Sequence, residues 1–168
     1  MLVETEEHLL NAAREKNFPA VILRVAGIYG PERGHLFQQY LRGEARLSGD
    51  GSRLINMIQR DDVVAAILAG LERGRTGEIY NSADDEPVTQ REFFLWLSDQ
   101  LHMPMPPPAS EVEQAPRKRG LTQKRVSNQK LRRELRCELT HPTFRQGYAA
   151  EMARLRAAGR LSPGSAGN

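Results

Sequence analysis

Apolar and polar positions along this chain repeat with two periods. Residues 2–16 set Leu2, Leu9, Leu10 and Ala13 among Glu and Arg, the pattern of an amphipathic helix. Ala20 to Val25 is a short apolar run bounded by turn residues, which predicts a strand buried on both faces of a parallel sheet. It runs directly into a loop from Gly27 to Gly34, stopped by Pro31, and then a short helix near Gly34 to Leu41. Ser48 to Ser52 reads as a turn whose glycines supply positive φ, and Leu54 to Ile58 as a short strand. Asp61 and Asp62 open a helix to Arg73, with Val63, Val64, Ile67, Leu68 and Leu71 at the helical period and Gly74 and Gly77 to stop it.

Gly77 to Asn81 predicts another strand. Thr89 caps a helix through Leu101, with Glu92 three residues on in capping-box spacing. The apolar face of that helix (Phe93, Phe94, Trp96, Leu97, Leu101) is explained by core packing alone. Met103 to Pro116 is too rich in proline for regular structure and reads as a linker or lid. Asn128 to Arg136 and Phe144 to Leu155 form two closing helices, and Ser162 to Asn168 reads as a disordered end. The fold class is therefore α/β. Its expected divisions are an α/β part over 1–102, the linker over 103–116, a helical lobe segment over 117–157 and a tail over 158–168.

The 39% hydrophobic and 27% charged composition of the 168 residues fits one globular domain with a modest core. No apolar run approaches the ~20 residues that span a bilayer, so no membrane partner is expected. Met1 to Leu10 carries Glu4, Glu6 and Glu7 without a basic start, unlike a secretory signal. The lone Cys137 has no internal partner and no reactive motif around it. It is read as an idle thiol in a reducing, cytoplasmic setting. The net charge of +3 gathers between Arg117 and Arg136. That run lacks aromatic residues for base stacking, so a solvated basic face is favoured over nucleic acid, and a small anionic ligand stays open.

Ligands of open α/β sheets bind beyond the carboxyl ends of the strands, which puts the candidate site at Gly27 to Gly34. The segment Leu23-Arg24 through Tyr29-Gly30-Pro31 resembles the Leu-Arg-x-x-x-x-Tyr-Gly-Pro segment of extended short-chain dehydrogenases/reductases, the NAD(P)-dependent epimerase/dehydratase family. The resemblance continues in order through Gly49-Asp50-Gly51, Ile58 to Val63, Gly77 to Asn81, Val126 to Leu131, Pro142 to Phe144 and Gly147-Tyr148. It implies the carboxyl-terminal portion of a Rossmann-like parallel sheet with a small, mostly helical substrate-binding lobe. It also implies NAD or NADP as cofactor of the intact family, and oxidation, epimerisation or dehydration of carbonyl and sugar-like substrates.

The departures from the family pattern are as informative. A dinucleotide turn needs backbone N–H groups aimed at a pyrophosphate from a helix N-terminus. The only candidate, Gly27-x-x-Gly30-x-x-x-Gly34, has the wrong spacing and loses a donor at Pro31. The catalytic Tyr-x-x-x-Lys pair is absent, because Tyr29, Tyr40, Tyr80 and Tyr148 are followed four residues on by Arg33, Glu44, Asp84 and Met152. By alignment with the family, Ile55 stands where nucleotide-sugar members carry a diphosphate-binding Arg, and Asn56 where Asp is common. This argues against a nucleotide-sugar substrate. No catalytic residue is assigned, and His8, His35, His102 and His141 lack metal-ligand spacing, so no metal is expected.

Carried over by motif, the residues nearest a ligand are Gly27, Tyr29, Gly30, Pro31 and Arg33, with Asn56 as a further candidate. Each has a second reading: Gly27 and Gly30 as turn glycines, Tyr29 as cover for the core, and Arg24 with Asp62 as a scaffold ion pair or cap. The expectation is a substrate-side half of an NAD(P)-dependent oxidoreductase, epimerase or dehydratase. On its own it should be inactive and bind no dinucleotide tightly, and it should seek either a second copy or a missing amino-terminal half. The alternative is a free-standing, non-catalytic binding module for a small anionic ligand or a protein partner.

Overall fold

The structure, a computed structural model, describes residues 2–110 and 123–161. Helix α1 (Leu2–Lys16) leads into β1 (Ile22–Val25), β2 (Gly27–Tyr29) and the short α2 (His35–Leu41). Strands β3 (Leu54–Ile55) and β4 (Met57–Gln59) precede α3 (Arg60–Arg73). They are followed by β5 (Ile79–Ser82), β6 (Val88–Thr89), α4 (Gln90–Leu101), α5 (Gln129–Leu135) and α6 (Phe144–Ala157). Each helix predicted from the apolar period is present to within a residue or two. Thr89 and Glu92 close the expected capping box around α4, the two N–H donations measuring 2.9 and 3.2 Å.

The strands depart from expectation in an instructive way. Gly27 to Tyr29, expected as loop, is a strand, and Leu54 to Ile58 is two strands rather than one. Both changes are partner switches. β1 pairs parallel with β5, in register Leu23 to Tyr80. The chain then turns at Ala26, and β2 pairs parallel with β4, Ile28 to Ile58. Likewise β3 pairs antiparallel with β6, and the switch to β4 falls at Asn56. Short strands carry no periodicity long enough to show such a change, and β6 gave no signal at all.

Strand β1 is also not buried on both faces. Leu23 packs against the cluster of Ala66, Ala69, Tyr80 and Leu131, but Arg24 is exposed and Val25 is 41% exposed. Among the described residues β1 is paired on one edge only, by β5. Helix α3 turns its small residues, Ala66, Ala69 and Gly70, inward and leaves Val64, Ile67, Leu68 and Leu71 outside, Leu71 by 80%.

The larger core joins the sheet to the closing helices. Tyr29 of β2 stacks on Tyr148 of α6 with ring centroids 4.4 Å apart, flanked by Phe37 and Phe93. Two glycines leave room for this pair. A Cβ at Gly147 would overlap the Tyr29 ring, and one at Gly34 would lie 2.7 Å from the Tyr148 hydroxyl at a φ of 108°. The segment 158–161, expected in the tail, turns back from α6, and Leu161 packs on this core. The rest of the tail (162–168), residues 111–116 of the proline-rich segment, and Arg117, Lys118 and Arg119 lie outside the described residues. Within it, 103–110 is extended and anchored by Ala109 N–H to the Leu47 carbonyl, 2.9 Å.

Gly147→Ala is expected to cost about 2–3 kcal/mol, because the methyl group meets a ring that is itself held on all sides. Urea unfolding checks this; a loss below about 0.5 kcal/mol would show that the stack can shift to make room.

Candidate functional site

Two partner switches lie side by side. The Ala26 N–H donates to the Ser82 carbonyl at 2.9 Å, and the Gly27 N–H to the Asn56 carbonyl at 3.1 Å. Beyond that point β1 and β2 run with different partners, and a cleft of about 790 Å³ opens at the carboxyl end of β1 and β5. Its walls are apolar at Val25, Leu54, Ile55 and Val126, and cationic at Arg24, Arg53, Lys124 and Arg125. Among the described residues neither Asp nor Glu lines it.

The outer wall is a strap, residues 123–127, laid across the switch points by side-chain amides. Asn56 holds it with both ends of its amide: Nδ2 donates to the Lys124 carbonyl at 2.9 Å, and Oδ1 accepts the Val126 N–H at 2.8 Å. Asn81 Nδ2 donates to the Ser127 carbonyl at 3.2 Å, and the Leu54 N–H donates to Gln123 Oε1 at 3.1 Å. On its far side the strap leads into α5, where Asn128 Nδ2 donates to the Ala83 carbonyl and to Asp85 Oδ1, both at 2.8 Å. Arg132 pairs with Asp85.

Of the sequence candidates, Gly27 and Asn56 line the cleft together. Tyr29 does not. It is 1% exposed, its hydroxyl points to the Thr143 carbonyl at 3.4 Å, and burial raises its pKa far above the ordinary phenol value. Gly30, Pro31 and Arg33 form a turn closed by the Arg33 N–H on the Gly30 carbonyl at 2.9 Å, away from the cleft; Arg33 is exposed. Arg24 and Asp62 do not pair. Arg24 Nε donates to Glu6 of α1 at 2.9 Å. Asp62, fully buried at the start of α3, accepts the Thr140 and His141 N–H groups at 2.6 and 3.0 Å and so ties the loop before α6 to α3. The strap residues Lys124, Arg125 and Ser127 were missed as site members. In sequence they belong to a basic run, and nothing local reports that Asn56, some seventy residues earlier, holds them.

The glycines of this region have fixed structural tasks. Gly27 spends its N–H on Asn56, a Cβ at Gly30 would press on Arg60 at 3.3 Å, and Gly34 precedes a helix of only seven residues. This geometry does not fit a dinucleotide pyrophosphate. Cys137 is buried, and burial raises its pKa, as suits an inert thiol. Among the described residues no group of His, Cys, Asp and Glu is arranged to hold a metal ion, and no helix is long and apolar enough to cross a membrane.

Residues 3–83 match the model of the NAD dependent epimerase/dehydratase family. Over that segment, just under half of the chain, it is similar to that family. Its parallel strand pairs and flanking helices make it a Rossmann-like α/β fold of that kind. A 3-diazoavenalumate denitrifying reductase from a Streptomyces species is 28% identical over 143 residues, covering 78% of this chain and 46% of that protein. The UDP-glucose 4-epimerase of Thermotoga maritima, solved with UDP-glucose, superposes with a TM-score of 0.75 at 26% identity over 93% of this chain and 52% of that one. The DesIV dTDP-glucose 4,6-dehydratase of Streptomyces venezuelae, solved with NAD, shares the fold at a TM-score of 0.73 and 23% identity, over 96% of this chain and 51% of its own. The chain thus spans about half the length of the relatives it matches.

One buried acid near the strap has a measurable consequence. Asp84 is almost wholly buried; its Oδ1 accepts the Glu86 N–H at 3.2 Å, while Oδ2 has no hydrogen-bond partner among the described residues. Desolvation, with smaller contributions from the nearby carboxylates, raises its pKa to about 7. Below about pH 4 this carboxyl is protonated in folded and unfolded chains alike. From there to about pH 7 only the unfolded chain ionises, so stability falls as pH rises, by about 4 kcal/mol at most. Asp84→Asn keeps the acceptor and removes the titration. The stability difference in favour of the variant is therefore expected to grow from pH 4 to pH 7, read by denaturant unfolding; parallel pH profiles would contradict the assignment.

Proposed function

We propose that this chain supplies the substrate-side half of an NAD(P)-dependent oxidoreductase, epimerase or dehydratase. The observation that carries this is the incomplete sheet. β1 is paired on one edge among the described residues, and the stripe of Val64, Ile67, Leu68 and Leu71 beside it lies open to solvent. The cleft at the carboxyl end of β1 and β5 is where an open parallel sheet receives its ligand. The glycines near it are engaged in backbone pairing and turns, so the dinucleotide cradle belongs to chain outside these residues. In the same division of labour, residues 1–102 contribute the sheet and its helices, and the segment from 117 contributes the lobe that covers the substrate.

The substrate is a small molecule of a kind other than a nucleotide sugar. Ile55 is apolar in the cleft wall at the position where the family's nucleotide-sugar members carry arginine. Within the assembled site this chain's residues bind and orient: Leu54, Ile55 and Val126 exclude water from one side of the substrate, while the strap fixes its outer face. Without its complement the chain neither turns over nor holds the cofactor. The open stripe also provides a face for a second copy of the chain or for the amino-terminal half.

Titration of NADH and NADPH with the purified chain, followed by nicotinamide fluorescence, tests this directly. No saturable enhancement is expected below about 1 mM. Saturation in the micromolar range would show a complete cofactor site within these 168 residues and overturn the half-enzyme reading.

A further inference from the structure

We propose that the cleft takes a small organic anion, its carboxylate or phosphate held by Lys124 and Arg125, and that Asn56 is the positioning residue that sets those cations in place. The inference rests on the substrate-side reading above and adds the chemical class of the ligand. Among the described residues the wall charge is one-sided, four cations and no carboxylate, and Glu92, an acid acting on Arg125, lies outside the lining. Arg24 is engaged with Glu6, whereas Lys124 and Arg125 make no ion pair among the described residues. A cleft lined by one sign of charge against low-dielectric walls concentrates ions of the opposite sign. Its apolar side, formed by Val25, Leu54, Ile55 and Val126, suits an organic body rather than a bare inorganic ion.

The cations stand on a strap with no regular structure of its own, so their position depends on what holds the strap. Asn56 donates to one strap carbonyl and accepts from the amide two residues further on, as the neighbouring strand of a sheet would. A carboxamide does both from two separate atoms of one planar group. An aspartate there would accept the Val126 N–H but face the Lys124 carbonyl oxygen with a second oxygen, and it would add a negative charge to the anion site.

The test is a proton–nitrogen correlation titration of the intact chain at low salt with phenyl phosphate, benzoate and uncharged benzyl alcohol. Saturable shifts at Gly27, Asn81 and Val126 are expected with the anions and not with the alcohol; the tighter of the two anions identifies the oxyanion. The double variant Lys124→Ala, Arg125→Ala, both sites being exposed and remote from the core, should weaken binding at least about tenfold. Asn56→Asp should weaken it by a similar factor. Asn56→Ala should weaken it about threefold or more and speed amide exchange at Val126, with a melting midpoint within about 3 °C of the parent. Equal binding of benzyl alcohol, or a double variant within about twofold of the parent, would overturn the anion site. Full affinity in Asn56→Ala would overturn the positioning role. The two readings fail separately: micromolar NADH binding with anion binding intact removes only the half-enzyme proposal, and absence of anion binding removes only this one.

Discussion

The stack of Tyr29 on Tyr148 is the contact on which the rest of the arrangement depends. It joins a strand of the sheet to a helix more than a hundred residues later, and it exists because position 147 has no side chain. Around it lie Phe37, Phe93 and Phe144, each fully buried, in tilted contacts that add about 0.5–1.5 kcal/mol per pair beyond simple burial. The stack also constrains the backbone. For Tyr29 to reach α6, β2 must leave the line of β1 and take β4 as partner, and that divergence at Ala26 opens the cleft. The glycine at 147 is thus connected to the site through ring packing and strand pairing, although it lies in a different element.

Polar contacts then finish what the core begins. Asp62 uses its buried carboxylate to hold the loop before α6, so α3 and α6 keep a fixed distance. Asn56, Asn81 and Asn128 bind the strap and the start of α5 to the ends of β3 and β5. These are side chain-to-backbone bonds that substitute for strand pairing where the chain is irregular. A carboxamide carries a donor and an acceptor on separate atoms; Asn56 uses both on the strap, while Asn81 and Asn128 use the donor.

Much of this was legible in the sequence. The helices announced themselves through apolar spacing and through the Thr89 and Glu92 cap, and the family resemblance through ordered motifs from Leu23 to Tyr148. Two features were not legible, for physical reasons. Strand pairing changes at Ala26 and Asn56 inside runs of three to five residues, where a period of two cannot be established. The burial of Tyr29 depends on Tyr148 and Gly147, a long-range fit that local pattern does not carry. Gly27 and Asn56 did reach the cleft, but its cations came from a segment whose sequence reads as solvated charge.

Native-state hydrogen exchange of the intact chain tests the central claim most directly. If the stacked tyrosines weld sheet and lobe into one cooperative unit, amides of β2, β4 and α6 open together with a single free energy close to that of global unfolding. An α6 that exchanges several kcal/mol more easily than β2 and β4, and independently of them, would contradict it.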